Sequence, residues 1–148
     1  MDGSKTNGKT NGKTNEKTNG KTNGGLMDLR LVELISKIQS GEVTPLESIR
    51  QCFERVHSLN PLLNCFITIR ESEAIEEAKQ QTEKMKRGEK VGLLAGIPLA
   101  VKDLEDVKGV ATTYGTHWFL NNVRDESSVQ VERLTSQGAI VGLFSLLK

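Results

Sequence analysis

Aromatic side chains are scarce in this sequence, and their scarcity bears on nucleic-acid binding. Only six aromatic residues occur among the 148, and none lies in a cluster of Lys and Arg. The 20 Lys and Arg nearly balance the 19 Asp and Glu, which leaves a formal net charge of +1. A nucleic-acid-binding domain normally carries a basic surface with interspersed aromatic residues. We therefore expect no nucleic-acid partner.

Long apolar runs are also missing. The longest spans residues 91–101 and is interrupted by Gly92, Gly96 and Pro98, whereas a transmembrane helix needs about 20 consecutive apolar residues. The N-terminus shows neither the apolar core of a secretory signal nor the Arg-rich amphipathic pattern of a transit peptide. From these features the sequence predicts no membrane partner and a cytoplasmic location.

Cysteine and histidine each occur only twice, as Cys52 and Cys65 and as His57 and His117. A zinc site would need all four of these residues, gathered from unrelated segments, because no CxxC pair is present. We therefore predict that both cysteines are reduced and buried. The sequence indicates neither a metal nor a cofactor.

Residues 1–25 differ in composition from the rest of the chain. They repeat Lys-Thr-Asn-Gly and contain only one apolar residue, Met1. A segment without apolar side chains cannot bury a core, so we predict a disordered tail over 1–25 and a folded domain over 26–148. Residues 3–10 formally match the phosphate-binding P-loop pattern. That pattern binds phosphate only between a strand and a helix, and here it arises from the repeat.

Two helices are predicted at the start of the folded part. Apolar residues recur at spacings of three and four from Leu31 to Ile38, before Gly41, which indicates a short amphipathic helix. The next segment begins with Thr44, a Pro and a Glu at the positions of a capping box. It predicts a second helix that ends near residue 58, before an Asn-Pro turn.

Strands and helices are predicted to alternate in the remainder. A strand is expected over 62–69, a charged helix over 71–87 and a strand over 97–101. A further helix is expected after Ser127 and Ser128, with Val129, Val131 and Leu134 facing inward, followed by a strand from residue 139. Helices followed by strand, helix and strand favour an α/β layered domain.

The run Leu-Ala-Gly-Ile-Pro-Leu-Ala-Val-Lys-Asp at residues 94–103 is followed by Val-Lys-Gly-Val at 107–110 and by Thr-Thr-Tyr-Gly-Thr at 112–116. This ordered series resembles the amidase signature family, and the resemblance extends over residues 27–141. It implies an α/β fold in which N-terminal helices precede the first strands of a mixed sheet with flanking helices. It also implies hydrolysis of a carbon-nitrogen (amide) bond in a small-molecule substrate.

Lys102 takes the position of the catalytic lysine in the family's Ser/cis-Ser/Lys triad. A lysine kept neutral by burial can take a proton from a bridging serine, so that a second serine attacks the amide carbonyl. From spacing alone, a lysine at a strand end is more often a solvated flanking residue. The resemblance also implies that Asp103 helps to order the loop behind the lysine, although a simple turn role suits that residue at least equally well. Thr116 stands where the family usually has serine.

The sequence departs from the family pattern after residue 141. The family usually continues with Gly-Lys-[Ser/Thr]-Asn and, later, a Gly/Ser-rich block with both serines and the oxyanion hole, whereas this chain reads Gly-Leu-Phe-Ser-Leu-Leu-Lys. None of its serines in this part lies in such a block, namely Ser127, Ser128, Ser136 and Ser145. We therefore expect residues 26–148 to form a truncated amidase signature domain that is inactive alone.

Two alternatives remain open from the sequence. The chain could be part of the A subunit of a tRNA-dependent amidotransferase, since that subunit belongs to the same family. It could instead be a non-catalytic interaction fragment that forms homo-oligomers or docks on a full-length relative. In the second case, the N-terminal helices and an unpaired edge at the last strand would provide the contact surface.

Overall fold

The computed structural model describes Met1 and residues 25–145, so the tail predicted over 1–25 lies almost wholly outside the described residues. The described part is of the expected α/β class. Its helices are α1 (Leu31–Gln39), α2 (Pro45–Leu63), α3 (Glu71–Lys86) and α4 (Val129–Ser136), and its strands are β1 (Phe66–Ile69), β2 (Pro98–Lys102) and β3 (Ile140–Ser145). Short 3-10 turns lie at Leu26–Asp28 and His117–Phe119.

The three strands form one mixed sheet in the order β1-β3-β2, with β3 antiparallel to β1 and parallel to β2. The last strand is therefore central, and the expectation that it leaves an unpaired edge is wrong. Residues 140–144 are all buried, because a central strand that is covered on both faces needs apolar side chains in succession. Within the described residues, β1 and β2 are the edge strands.

The main core lies between the sheet and the helix pair α2 and α3. It consists of apolar side chains from both helices and from β3, namely Ile49, Phe53, Val56, Ala74, Ala78, Ile140 and Leu143. Gly142 makes this packing possible, because a Cβ atom there would lie 2.8 Å from Cζ of Phe53. The absence of a side chain thus allows the aromatic ring to reach the backbone of the central strand.

A second cluster fills the opposite face of the sheet, where α4 and the loop after β2 pack. Its buried members are Val101, Val107, Val131, Val141 and Phe144. In α4, only Val131 is buried as predicted, whereas Val129 and Leu134 are 59% and 38% exposed. Residues two apart on a helix point about 200° apart, so Val129 and Val131 cannot both face the sheet.

The start of α2 agrees with the predicted capping box. The Thr44 hydroxyl accepts a hydrogen bond from the Glu47 amide at 3.2 Å, and the Glu47 carboxylate accepts one from the Thr44 amide at 2.8 Å. Its end was predicted wrongly, because the helix continues through Pro61. Proline is tolerated here in the last turn, and Asn64 ends the helix with a left-handed φ of 47°. The strand predicted over 62–69 is confirmed only in its second half.

The remaining predicted elements are largely confirmed. Leu34 and Ile38 are the buried residues of α1, and Ala74, Ala78 and Thr82 are those of α3. In the described part of the chain, no helix is both long and apolar enough to cross a membrane.

The two cysteines are free thiols, but both are half-buried rather than buried. Burial raises the pKa of the Cys52 thiol.

Candidate functional site

Lys102 is the last residue of β2, and the chain turns immediately after it. Its carbonyl oxygen accepts hydrogen bonds from the amides of Leu104 at 2.7 Å and Glu105 at 2.9 Å. The Lys102 side chain is exposed, as a flanking residue at a strand end commonly is, while Val101 and Asp103 on either side are buried. Side chains alternate between the two faces of a strand, so Lys102 lies on the face opposite to that of Val101 and Asp103.

The strand register shows on which face of the sheet Lys102 lies. Val101 pairs with Phe144, and Lys102 pairs with Ser145. Val101 and Phe144 belong to the cluster packed against α4, so alternation places Lys102 and Ser145 on the other face, towards α2 and α3. Lys102 and a serine therefore occupy neighbouring positions at one end of the sheet.

Asp103 connects the end of β2 to a loop ten residues further along the chain. Its amide donates to the Ser145 carbonyl at 3.1 Å, which extends the pairing with β3. Its carboxylate, only 2% exposed, accepts hydrogen bonds from the Thr113 amide at 2.7 Å and from the Thr113 hydroxyl. Asp103 thus orders the loop after Lys102, as the sequence resemblance implied.

The same loop is held from its other side by Asn122. The amide of Thr112 donates to the Asn122 carbonyl at 3.1 Å, and the Asn122 side chain donates to the Thr112 carbonyl at 2.9 Å. Asn122 could not be identified from the sequence, because no local pattern links it to a threonine ten residues earlier.

A third contact fixes Tyr114, whose φ is positive at 49°. Its hydroxyl donates to the Asp106 carboxylate at 2.6 Å, and Arg124 forms an ion pair with the same carboxylate at 3.0 Å. The hydrogen bond to Asp106 raises the pKa of the Tyr114 phenol. The ring also packs edge-on against Phe119, with centroids 5.6 Å apart. Asp106 and Arg124 were likewise not identified from the sequence.

A cleft of about 520 Å³ opens between this loop and the sheet, on the side of Asp103. Its lining combines polar groups with an apolar wall: Thr68, Asp103, Thr113, Thr116 and His117, and Ile67, Ala111, Leu120 and Phe144. Lys102 is not part of this lining. The structure therefore brings Asp103, Thr113 and Thr116 together at one cleft and places Lys102 on the opposite face of the sheet.

Within residues 25–145, no three His, Cys, Asp or Glu side chains lie close enough together to hold a metal ion. The expectation that the chain uses neither a metal nor a cofactor stays a prediction.

The segment that contains Lys102, Asp103 and the ordered loop also carries the family assignment. The sequence model of the family described as Amidase matches residues 47–142. The chain belongs to the amidase signature family. The match begins near the start of α2, includes all of β1, α3, β2 and α4, and ends within β3, so Lys102 lies inside the matched segment.

Individual relatives show the same similarity. The chain is 34% identical over 116 residues to the A subunit of the glutamyl-tRNA(Gln) amidotransferase of Lachnospira eligens, covering 78% of this chain and 24% of the relative. A solved amidase structure is 32% identical with a TM-score of 0.72, covering 80% of this chain and 27% of that one. A fatty acid amide hydrolase is 25% identical with a TM-score of 0.76, covering 81% and 21%. The chain thus spans about a quarter of the length of these relatives.

Proposed function

We propose that this chain supplies the lysine of an amidase-type site that hydrolyses a carbon-nitrogen bond. The observation that carries the proposal is the position of Lys102, at the end of a strand inside the family-matched segment. The turn after it is fixed by the Asp103–Thr113 hydrogen bonds. A backbone held on both sides gives the lysine a defined location, which proton transfer to a serine requires.

In the proposed reaction, the neutral Lys102 amine accepts a proton from a bridging serine, which in turn takes the proton of a nucleophilic serine. That serine oxygen forms a bond to the amide carbonyl carbon, and the carbon-nitrogen bond breaks as the leaving nitrogen takes up the proton. Water then hydrolyses the acyl-enzyme to the acid. Backbone amides of an oxyanion hole would stabilise the negative oxygen in both steps.

The 148-residue chain alone is expected to be inactive under this proposal. Its sequence contains no Gly/Ser-rich block that could supply both serines and the oxyanion hole. The Lys102 side chain is exposed in this structure, whereas a lysine serves as a base most readily in a buried site. A segment that carries the serines would also have to cover Lys102 and exclude water from it.

A chimera tests the role of Lys102. Residues 47–142 of this chain would replace the matching segment of the solved amidase that is 32% identical, and hydrolysis of that enzyme's amide substrate would be measured. We expect the chimera to be active and Lys102→Ala to lower kcat/KM by a factor of about 10³ or more, as for other triad residues.

Lys108→Ala is the matched control, because Lys108 is also exposed and lies in the same loop region. It should change kcat/KM by less than about threefold, as expected of a surface substitution away from the chemistry. Retention of activity by the Lys102→Ala chimera, with an intact fold by circular dichroism, would contradict the proposal.

A second candidate function is that of an amidotransferase A subunit, which is favoured by the name of the Lachnospira eligens relative. The same segment placed in that relative should then restore formation of glutaminyl-tRNA(Gln) from glutamyl-tRNA(Gln). Activity in this host together with failure in the amidase host would favour the amidotransferase assignment. The reverse result would reject it.

A non-catalytic interaction role is favoured by exposed apolar side chains. Leu62 at the end of α2 is 84% exposed and Trp118 is 92% exposed. Sedimentation of the purified chain distinguishes this role, since a homo-oligomer or a complex with a full-length amidase would sediment faster than a monomer. A monodisperse monomer whose sedimentation does not change when a full-length relative is added would exclude the interaction role.

A further inference from the structure

We propose that the cleft beside Asp103 binds a small molecule that carries a primary ammonium group on an apolar body. The inference rests on the charge and shape of the cleft and is independent of the catalytic role proposed for Lys102.

Asp103 is a buried acidic side chain that is hydrogen-bonded to neutral donors. The side chain is 2% exposed, and its hydrogen bonds come from the Thr113 amide and hydroxyl, both uncharged. Among residues 25–145, Asp103 takes part in no ion pair. A buried carboxylate without a cation is costly. Its two oxygens offer about four acceptor sites, so the carboxylate can still accept bonds from a charged donor.

A cation beside Asp103 could come from the residues that line the cleft or from a bound molecule. The described residues that line the cleft include no Lys or Arg, and His117 is their one basic side chain. Lys102 is adjacent in sequence but lies on the opposite face of the sheet. No Lys or Arg among residues 25–145 thus brings a permanent positive charge to Asp103, and a bound cationic ligand would supply one.

The rest of the cleft has the size and composition of a small-molecule site. Its volume of about 520 Å³ falls in the range of small-molecule sites, which commonly combine an apolar wall with a few polar groups. Ile67, Leu120 and Phe144 provide the apolar wall, and the Thr116 hydroxyl lies among the polar groups. An ammonium group has three donors, which Asp103 and a threonine hydroxyl can accept. An aromatic or branched aliphatic body would cover the apolar wall.

Nuclear magnetic resonance titration of the full 148-residue chain with benzylammonium tests the proposal, with benzyl alcohol as the uncharged comparison. The titrations would be run at about pH 8, where histidine side chains are ordinarily neutral. We expect benzylammonium to shift the amide signals of Thr113 and Thr116. It should bind at least about tenfold more tightly than benzyl alcohol, since charged hydrogen bonds are the stronger ones.

Asp103→Asn removes the charge and keeps an oxygen for the Thr113 amide. It should weaken benzylammonium binding about tenfold or more and leave benzyl alcohol unaffected. Asp125→Asn removes the same charge from an exposed position outside the cleft lining and should change neither affinity. If Asp103→Asn does not fold, Leu120→Arg provides the second test, because a guanidinium placed in the cleft should compete with benzylammonium.

Equal affinities for the two probes, unchanged ammonium binding in Asp103→Asn, or signal shifts confined to other parts of the chain would each overturn the proposal. Absence of any binding up to the solubility limit of benzylammonium would overturn it as well. These measurements report binding and not turnover, so their failure would not contradict the proposed role of Lys102, which the chimera tests separately.

Discussion

The Gln81 side chain in α3 forms hydrogen bonds to the backbone just before each of the two parallel strands, β2 and β3. Its carbonyl oxygen accepts a hydrogen bond from the Gly96 amide at 2.8 Å, and its amide nitrogen donates to the Gly138 carbonyl at 2.9 Å. Gly96 lies just before β2, and Gly138 lies just before β3. The side chain therefore sets the position from which β2 runs towards Lys102.

The substitution Gln81→Leu keeps a similar volume and removes both hydrogen bonds. It leaves one backbone donor and one backbone acceptor without partners, each at a cost of about 1–3 kcal/mol. Both bonds are only partly buried, so water can reach the freed groups and the lower part of this range applies. We expect the free energy of unfolding to fall by about 2–4 kcal/mol, a large fraction of the 5–15 kcal/mol typical of a domain.

Urea unfolding of the full chain, followed by far-ultraviolet circular dichroism, measures this loss. With a typical slope of about 1–3 kcal/mol/M, the midpoint should fall by about 1–2 M. Gln80→Leu is the matched control, because Gln80 is the neighbouring residue on the same helix and is exposed. It should change stability by less than about 0.5 kcal/mol. Equal effects of the two substitutions would refute the reasoning.

Three further predictions concern single side chains. Tyr114 is the one tyrosine of the chain, and its raised pKa comes first from the hydrogen bond to Asp106. Ultraviolet titration of Asp106→Asn should therefore show the phenol pKa moving down towards its ordinary value; an unchanged value would contradict the assignment. The Thr44 amide and hydroxyl lower the pKa of the Glu47 carboxyl, so its stabilising effect is present above the unfolded-state pKa and is lost as the pH falls through the lower folded-state pKa. The stability difference between the parent chain and Glu47→Gln should shrink over that interval in urea titrations, and a constant difference would argue against it. Phe53 is 2% exposed in the main core, and Phe53→Ala should lower stability by about 3–5 kcal/mol. A loss below about 1 kcal/mol in the same unfolding assay would show that the ring is not packed as described.

Local sequence patterns correctly predicted the elements that depend on contacts between neighbouring residues. The capping box at Thr44 depends on residues three apart, and the periodicity of α1 and α3 depends on neighbours on one helix face. The position of Lys102 at the end of an apolar strand follows from the same kind of pattern. These features were confirmed because their main interactions form within one or two turns of chain.

Pairings between distant segments decided the rest. The sequence showed that residues 140–144 are apolar but not that β1 and β2 pair on either side of them, so the strand was mistaken for an edge. It identified Asp103 and Thr113 as members of one motif, while their place in a cleft depends on β1 and on the loop that contains His117. The face of the sheet on which Lys102 lies likewise follows from strand pairing and from the face that α4 covers.

The sequence by itself determined the family, the start of each helix and the lysine that its motif contains. The tertiary structure alone decided strand order, the side of the sheet on which Lys102 lies and the group of side chains around Asp103. The physical reason is that capping and periodicity are short-range and leave a direct pattern in neighbouring residues. Strand pairing and cleft formation depend on the total free energy of packing segments that are far apart in the chain.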